Sequence, residues 1–288
     1  MFDSIKRDIQ HQYTYGGMTV RLVMINLAVF ITVMLFRLVL FIVNGGQVPG
    51  IFYTLTEGLS LANTWKLILF RPWTLVTHMF FHTGFFHILI NMLYLFWFGR
   101  VLENLLGERK TLNTYILSGF AGALLYFIFS GLLYDGVTYA LGASAAVMGI
   151  AVAAATMAPD HEFHLLFIGR VKLKFLVLAL VLLDLIMIPA MSNSGGHIAH
   201  IGGAVMGYVY IKLLYQGVDL GDINFKPNIK RPKFDVYVNE DKMSQKPKKR
   251  RPQETQDRID QILEKIKQSG YESLTQEEKD FLYEASKK

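Results

Sequence analysis

The stretch YALGASAAVMGIAVAAATMA, residues 139–158, decides how this chain folds. It carries no charge and is long enough as a helix to cross a hydrocarbon core, yet it is built largely from Ala and Gly rather than Leu and Phe. Small residues four positions apart, such as Ala145 and Gly149, let helices approach each other backbone to backbone in a membrane. Gly203 and Gly207, also four apart in the last apolar segment, predict a surface that packs against this one. The stretch therefore predicts a membrane helix packed among other helices, with Ser144 near its start.

Composition places this helix in a larger membrane protein. The chain has 288 residues, 52% of them hydrophobic, and a mean hydropathy of +0.32. Nearly all the apolar segments lie in the first three quarters, whereas the last quarter is rich in Lys and Glu. The sequence contains no cysteine, which excludes disulfides, thiolate metal sites and a cysteine nucleophile. We predict an all-α, polytopic membrane protein with a small helical cytoplasmic tail.

Six apolar segments are long enough to be membrane spans. They cover residues 22–43, 78–98, 112–130, 140–158, 173–189 and 197–215. Lys and Arg collect before the first span, in the second and fourth connections, and after the sixth span, which is the distribution expected of cytoplasmic segments. We therefore expect a multi-pass protein of a bacterial cytoplasmic (inner) membrane with both termini cytoplasmic. The net charge of +6 then reflects topology and not nucleic-acid binding.

The same reasoning divides the chain into four parts. Residues 1–20 form a cytoplasmic N-terminal segment, and residues 21–216 form the six-helix membrane domain. A basic linker, 217–252, contains the run KPKKRR, which we expect near anionic lipid. The last part, 253–288, has apolar residues at helical spacing and predicts a small helical tail.

Polar residues fall near the starts of the second, fourth and sixth spans. These spans all run inward, so their starts lie at similar depth below the outer surface. A serine is a poor nucleophile until a base takes its proton, and Ser144 and His200 can supply such a pair. An acyl-transfer intermediate also needs hydrogen-bond donors for its oxyanion, which His87, Asn91 and the first amides of the fourth helix could provide.

These residues lie in motifs that resemble those of a known family. GASA at 142–145, HILIN at 87–91 and AHIGGAVMG at 199–207 resemble the serine, oxyanion and histidine motifs of rhomboid intramembrane serine proteases. GRVLENLLG at 99–107 resembles the segment that joins their second and third helices. The resemblance covers roughly residues 20–216, with the motifs in family order on the expected spans.

The resemblance implies a fold, an activity and a site. It implies a six-helix core and a catalytic dyad of Ser144 and His200 with no third, acidic member. It implies an oxyanion site made by His87, Asn91 and the Ser144 amide, and it requires no cofactor and no metal. It further implies that substrates are single-span membrane proteins, which enter from the lipid bilayer past the fifth helix and the first outer loop.

Two positions depart from the family pattern. Ala145 stands where the family usually has Gly, which could tighten the approach of a substrate. Met148 stands where many members carry an aromatic ring that packs on the catalytic histidine. Support for the imidazole is then weaker, or is supplied differently in this chain.

Other polar residues within the spans have competing interpretations. His197 lies one turn before His200 and is the less favoured base. Asp184, the one carboxylate in the predicted spans, could orient a histidine, but a polar contact between helices is favoured because the resemblance implies no acid. His78 and His82 are interpreted as hydrogen-bonding residues rather than as a metal pair.

Two other functions remain as alternatives. A catalytically inactive rhomboid-like factor that binds membrane proteins would share the fold, although such proteins typically lack the dyad. A histidine-lined membrane transporter would use the same imidazoles, but inverted repeats and broken helices are not evident in the sequence. A metalloprotease is disfavoured because the sequence lacks HExxH, and an aspartyl protease needs two membrane carboxylates.

Overall fold

The computed structural model describes residues 2–165, 169–190, 193–221 and 253–286. These residues belong to two compact units, one within 1–225 and the other within 226–288. Helices dominate both units. The predicted linker and its KPKKRR run fall almost entirely outside the described residues.

The described part of the first unit contains ten α-helices and two small antiparallel sheets. Its helices are α1 (Phe2–Tyr15), α2 (Gly17–Val43), α3 (Gly50–Leu59), α4 (Trp65–Phe70), α5 (Thr74–Thr77), α6 (Phe85–Leu106), α7 (Glu108–Leu133), α8 (Ser144–Met157), α9 (Leu173–Met187) and α10 (Ser194–Tyr215). Strand β1 (Leu61–Ala62) pairs with β2 (Tyr139–Ala140), and β3 (Glu162–Leu165) pairs with β4 (Gly169–Lys172). These strands and helix α1 were not predicted from the sequence.

Four of the described helices, α2, α6, α7 and α10, are long and apolar enough to cross a membrane. The fourth and fifth predicted spans correspond to α8 and α9, which have 14 and 15 residues. At a rise of about 1.5 Å per residue each is roughly 21–23 Å long, shorter than a hydrocarbon core of about 30 Å. Helices α8 and α9 are therefore shorter than the four helices that can cross a membrane.

Helix α8 lies at the centre of the first unit. Most of its residues are buried, including Ala145 and Gly149. A Cβ atom added to Gly203 of α10 would overlap the carbonyl oxygen of Ala145, and one added to Gly207 would overlap that of Gly149. The predicted small-residue contact between the fourth and sixth spans is therefore confirmed. It brings α8 and α10 together at backbone distance.

Two helices begin later than the sequence analysis predicted. The second span was predicted from residue 78, but residues 78–80 form a 3-10 turn and α6 begins at Phe85. The fourth was predicted from residue 140, but α8 begins at Ser144. Residues 139 and 140 instead pair with β1, and Gly142 has a φ of +123°, a left-handed conformation that ends any regular helix there.

A buried carboxylate connects the start of α2 to α6. Glu103 is 9% exposed, and its two oxygens accept hydrogen bonds from the backbone N–H groups of Met18 (2.6 Å) and Thr19 (3.2 Å). The first N–H groups of a helix have no partner within the helix, and a negative charge there also interacts favourably with the helix dipole. Glu103 thus anchors α2 against α6.

Glu103→Gln should lower the stability of the protein in detergent by about 2–3 kcal/mol, because a charged acceptor of two buried amides is lost. The matched control is Glu108→Gln. Glu108 is exposed and forms an ion pair with Arg21 at 2.7 Å, so its loss should cost less than about 1 kcal/mol. Thermal unfolding of the two purified variants measures both changes. Equal melting temperatures for the two variants would contradict the anchoring role of Glu103.

The second unit is a pair of helices, α11 (Gln253–Ser269) and α12 (Gln276–Ser286). The backbone N–H of Thr275 donates to Glu278 Oε2 at 2.8 Å, and the Glu278 N–H donates to Thr275 Oγ1 at 3.3 Å. This is the capping box expected at the start of a helix. Lys265, at 2.9 Å, together with the Thr275 amide holds the pKa of the Glu278 carboxyl below its usual range.

Candidate active site

Ser144 is the first residue of α8, and a network of hydrogen bonds holds the turn that precedes it. The Gly142 N–H donates to the carbonyl oxygen of His78 at 2.8 Å, and the Ala143 N–H donates to Nε2 of His82 at 3.2 Å. Both histidines are buried. The His78 ring has its own partner, because Nδ1 lies 2.7 Å from the carbonyl oxygen of Thr74. Both rings thus make hydrogen bonds, as interpreted from the sequence, and the His82 ring with the His78 backbone carbonyl holds the turn before Ser144.

The two predicted oxyanion residues lie in the first two turns of α6. The His87 ring lies over Gly142. A Cβ atom built on Gly142 would be 2.7 Å from His87 Cε1 and 3.7 Å from Ser144 Oγ. The Asn91 side chain is buried, and its Nδ2 donates to the carbonyl oxygen of His87 at 2.8 Å. The His87 ring therefore lies beside the start of α8, and the Asn91 amide is held against its own helix.

His200 lies on α10, and one cavity brings it together with the other predicted residues. This cavity has a volume of about 780 Å³, and its lining includes Ser144, His200, His87 and Asn91. Met148, one turn beyond Ser144, also lines it. The structure thus brings all four predicted site residues to a single space between helices.

Asp184 of α9 contacts two histidines of α10. Its side chain is buried, and Oδ1 lies 2.8 Å from Nδ1 of His200 and 2.6 Å from Nδ1 of His197. The sequence favoured a polar contact between helices for Asp184, and the structure has such a contact between α9 and α10. Its partners, however, are the two histidines themselves, including the predicted base.

Among the described residues, these three side chains form a group whose geometry could hold a metal ion. One ligand atom from each of Asp184, His197 and His200 lies within 4.8 Å of the others. In the structure Oδ1 of Asp184 lies within hydrogen-bond distance of Nδ1 of both imidazoles, so these three atoms have partners without an ion.

The departure at Ala145 has a simple structural explanation. Its methyl group faces α7, where a Cβ added to Gly122 would lie 2.5 Å from it. Ala145 is only 6% exposed. The methyl group therefore fills a contact between helices, next to the small residue that accommodates it.

Comparison with known proteins identifies the family of this fold and site. The model of the Rhomboid domain matches residues 70–217, more than half of the chain. The chain belongs to the rhomboid family. The matched residues include α6 to α10 and with them every residue that lines the cavity described above. A family of unknown function, DUF6576, matches residues 239–288, which include the second unit's two helices.

Several curated rhomboid proteins are similar to this chain. Rhomboid protease AarA of Providencia stuartii is 28% identical over 228 residues, which cover 71% of this chain and 74% of AarA. Rhomboid protease GlpG of Serratia proteamaculans (strain 568) is 32% identical over 135 residues, 47% of this chain and 45% of GlpG. The presenilin-associated rhomboid-like protein A of Danio rerio, a mitochondrial protein, is 28% identical over 142 residues. The chain spans 36% of the length of this last relative.

Family membership and the four apolar helices make this chain an integral membrane protein. Its fold is the helical, rhomboid-like membrane fold that the sequence predicted. The relatives include named proteases and a protein named only as rhomboid-like, so the family alone is compatible with catalysis and with binding.

Proposed function

We propose that this rhomboid-family protein is an intramembrane serine endopeptidase. It hydrolyses a peptide bond in or next to a transmembrane segment of a membrane-protein substrate. Ser144 is the nucleophile, His200 is the general base and acid, and His87 and Asn91 stabilise the oxyanion together with the Ser144 amide.

The observation that carries this proposal is the meeting of Ser144 and His200 at one cavity although they belong to different helices. The close approach of α8 to α10 at Gly203 and Gly207 fixes the distance between the two helices. A reactive serine needs its base within hydrogen-bond reach, and rigid helices hold such a geometry better than loops do.

The reaction follows the ordinary course of acyl transfer. Ser144 Oγ attacks the scissile carbonyl carbon while its proton moves to Nε2 of His200, and a tetrahedral oxyanion forms. When the intermediate collapses, the peptide C–N bond breaks and the imidazolium gives its proton to the leaving amine. Water, activated by the same imidazole, then attacks the acyl-enzyme and releases Ser144.

Donors around Ser144 suit the charge that develops on the substrate. Ser144 opens α8, where amides have no acceptor within the helix. The His87 ring and the Asn91 amide reach the same cavity from α6. Each donor aimed at an oxyanion contributes about 3–4 kcal/mol to transition-state stabilisation.

The proposed arrangement in the membrane has six spans, α2, α6, α7, α8, α9 and α10, with both termini cytoplasmic in a bacterial inner membrane. In the proposed division of the chain, residues 21–216 form the protease domain, 217–252 a basic linker and 253–288 a cytoplasmic helical tail. The short α8 then starts below the outer surface, at a depth where a water-filled cavity can supply the hydrolytic water. Substrates are transmembrane proteins that enter from the lipid.

Labelling with a serine-reactive fluorophosphonate tests the proposal directly. We expect the native protein in detergent to be labelled, and expect Ser144→Ala and His200→Ala to remain unlabelled, because one lacks the nucleophile and the other the base. Heat-denatured native protein serves as the background control. Equal labelling of all three folded proteins would contradict the proposal and favour the alternative of an inactive membrane-protein binding factor.

A further inference from the structure

The cluster of Asp184, His197 and His200 has a geometry that the dyad alone does not require. A single carboxylate oxygen, Oδ1 of Asp184, accepts hydrogen bonds from Nδ1 of both imidazoles at 2.6 and 2.8 Å. Asp184 is 7% exposed, although a carboxylate is costly to bury without partners. A buried acid on α9 thus lies in direct contact with the predicted base.

We propose that Asp184 is the positioning residue of His200 in peptide hydrolysis, an inference that rests on the proposed function. An ionised carboxylate only accepts hydrogen bonds, so Nδ1 of His200 carries the proton and Nε2 keeps its lone pair. That lone pair is what a base needs to take the proton of Ser144. The bond also fixes the plane of the ring, because it ties the imidazole of α10 to α9.

The carboxylate acts again after proton transfer. Once the Ser144 proton has moved to Nε2, the imidazolium carries a positive charge next to the negative charge of Asp184. The proton stays on the imidazole, and the carboxylate stabilises the ion pair until the proton passes to the leaving amine. Asp184 therefore lowers the barrier without exchanging a proton itself.

Two neighbouring residues, His197 and Met148, make the support of the His200 imidazole by Asp184 more important. The His197 ring stands nearly perpendicular to that of His200, with centroids 5.8 Å apart, and its N–H bond holds the carboxylate oxygen in place. Met148, which lines the cavity one turn beyond Ser144, has no ring to stack on the imidazole. The hydrogen bond that His200 Nδ1 donates to Asp184 takes over the role of orienting the imidazole.

The test compares kcat and KM of the full-length protein in proteoliposomes on a single-span reporter substrate, with EDTA present. Asp184→Ala should lower kcat by about 10²-fold or more while KM changes by less than about threefold, because the base loses its orientation but the substrate contacts remain. Formate, a small carboxylate, should restore part of the lost kcat when it enters the space left by the side chain. His197→Ala should lower kcat by a smaller factor than Asp184→Ala.

Controls separate this role from a purely structural one. Leu124→Ala truncates an apolar side chain of α7 that is 59% exposed and does not line the cavity, and it should leave kcat near the native value. A native kcat in Asp184→Ala would overturn the positioning role. A lower kcat that formate does not restore, in a variant whose melting temperature is also lower, would overturn it as well. Loss of native activity in EDTA with recovery on adding zinc would overturn it in favour of a metal site.

The activity of Ser144→Ala distinguishes a failure of this inference from a failure of the proposed function. If that variant is inactive and Asp184→Ala has native kcat, this inference fails while the proposed function stands. If Ser144→Ala retains activity, the proposed function itself fails.

Discussion

Ser144→Ala should abolish hydrolysis of a single-span membrane substrate, lowering kcat by roughly 10⁴- to 10⁶-fold. The substitution removes the oxygen atom that attacks the scissile carbonyl. Without it, His200 and the oxyanion donors cannot form an acyl-enzyme. Cleavage of a reporter co-reconstituted in proteoliposomes measures the rate. Binding of the substrate should persist, because the substitution removes one oxygen atom from a cavity of about 780 Å³.

Ser118→Ala is the matched control. Ser118 is fully buried on α7 and faces Gly149 of α8. Its substitution removes a hydroxyl from the contact between α7 and α8 without touching the proposed nucleophile. It should cleave at close to the native rate. Residual cleavage by Ser144→Ala above about one hundredth of the native rate would contradict the assignment of Ser144, because loss of a nucleophile removes far more.

Gly203→Ala should lower both the stability and the activity of the protein. The added methyl group would overlap the carbonyl oxygen of Ala145, which belongs to the backbone and cannot rotate away. Overpacking of this kind costs about 1–3 kcal/mol, and a shift of α10 by about 1 Å can lower kcat about 10²-fold by misplacing His200. Thermal unfolding in detergent and the proteoliposome assay measure the two effects.

Gly131→Ala provides the comparison on an open helix surface. Apart from its chain neighbours and the nearby backbone of α7 itself, no atom of the described residues lies within 4 Å of a Cβ built at Gly131. Alanine has the higher helix propensity, so this variant should be as stable as the native protein or more stable by up to about 1 kcal/mol. If Gly203→Ala were as stable and active as Gly131→Ala, the close approach of α8 and α10 could not be what sets the site.

The sequence predicted the contact between α8 and α10 because the information is local to each helix. Small residues four apart on both helices, Gly203 with Gly207 and Ala145 with Gly149, define faces that can meet whatever the rest of the fold does. For the same reason it was possible to predict which polar residues would lie near one another. The motifs are short, and each lies at the start of its span.

The exact starts of α6 and α8 could not be read from apolar periodicity. Residues 139–143 look as apolar as the helix they precede, but their conformation depends on hydrogen bonds from Gly142 and Ala143 to a segment some sixty residues away. The pairing of β1 with β2 is equally non-local. A window of hydropathy contains no information about such partners.

The two partners of Asp184 could not be predicted from the sequence either. The residue was recognised as a buried acid, but its contacts depend on how α9 rotates about its axis against α10. The structure turns it toward His197 and His200 rather than toward lipid or another helix. The support for the imidazole that the sequence lacked at Met148 is thus supplied from a different helix.

An experimental structure of the protein after reaction with a fluorophosphonate tests the central claim most directly. The account predicts phosphorus bonded to Ser144 Oγ, Nε2 of His200 within hydrogen-bond distance of the adduct, and the phosphoryl oxygen about 3 Å from donors of His87 and Asn91. An adduct on another residue, or a Ser144 adduct with the His200 ring on the far side of the bundle, would contradict it.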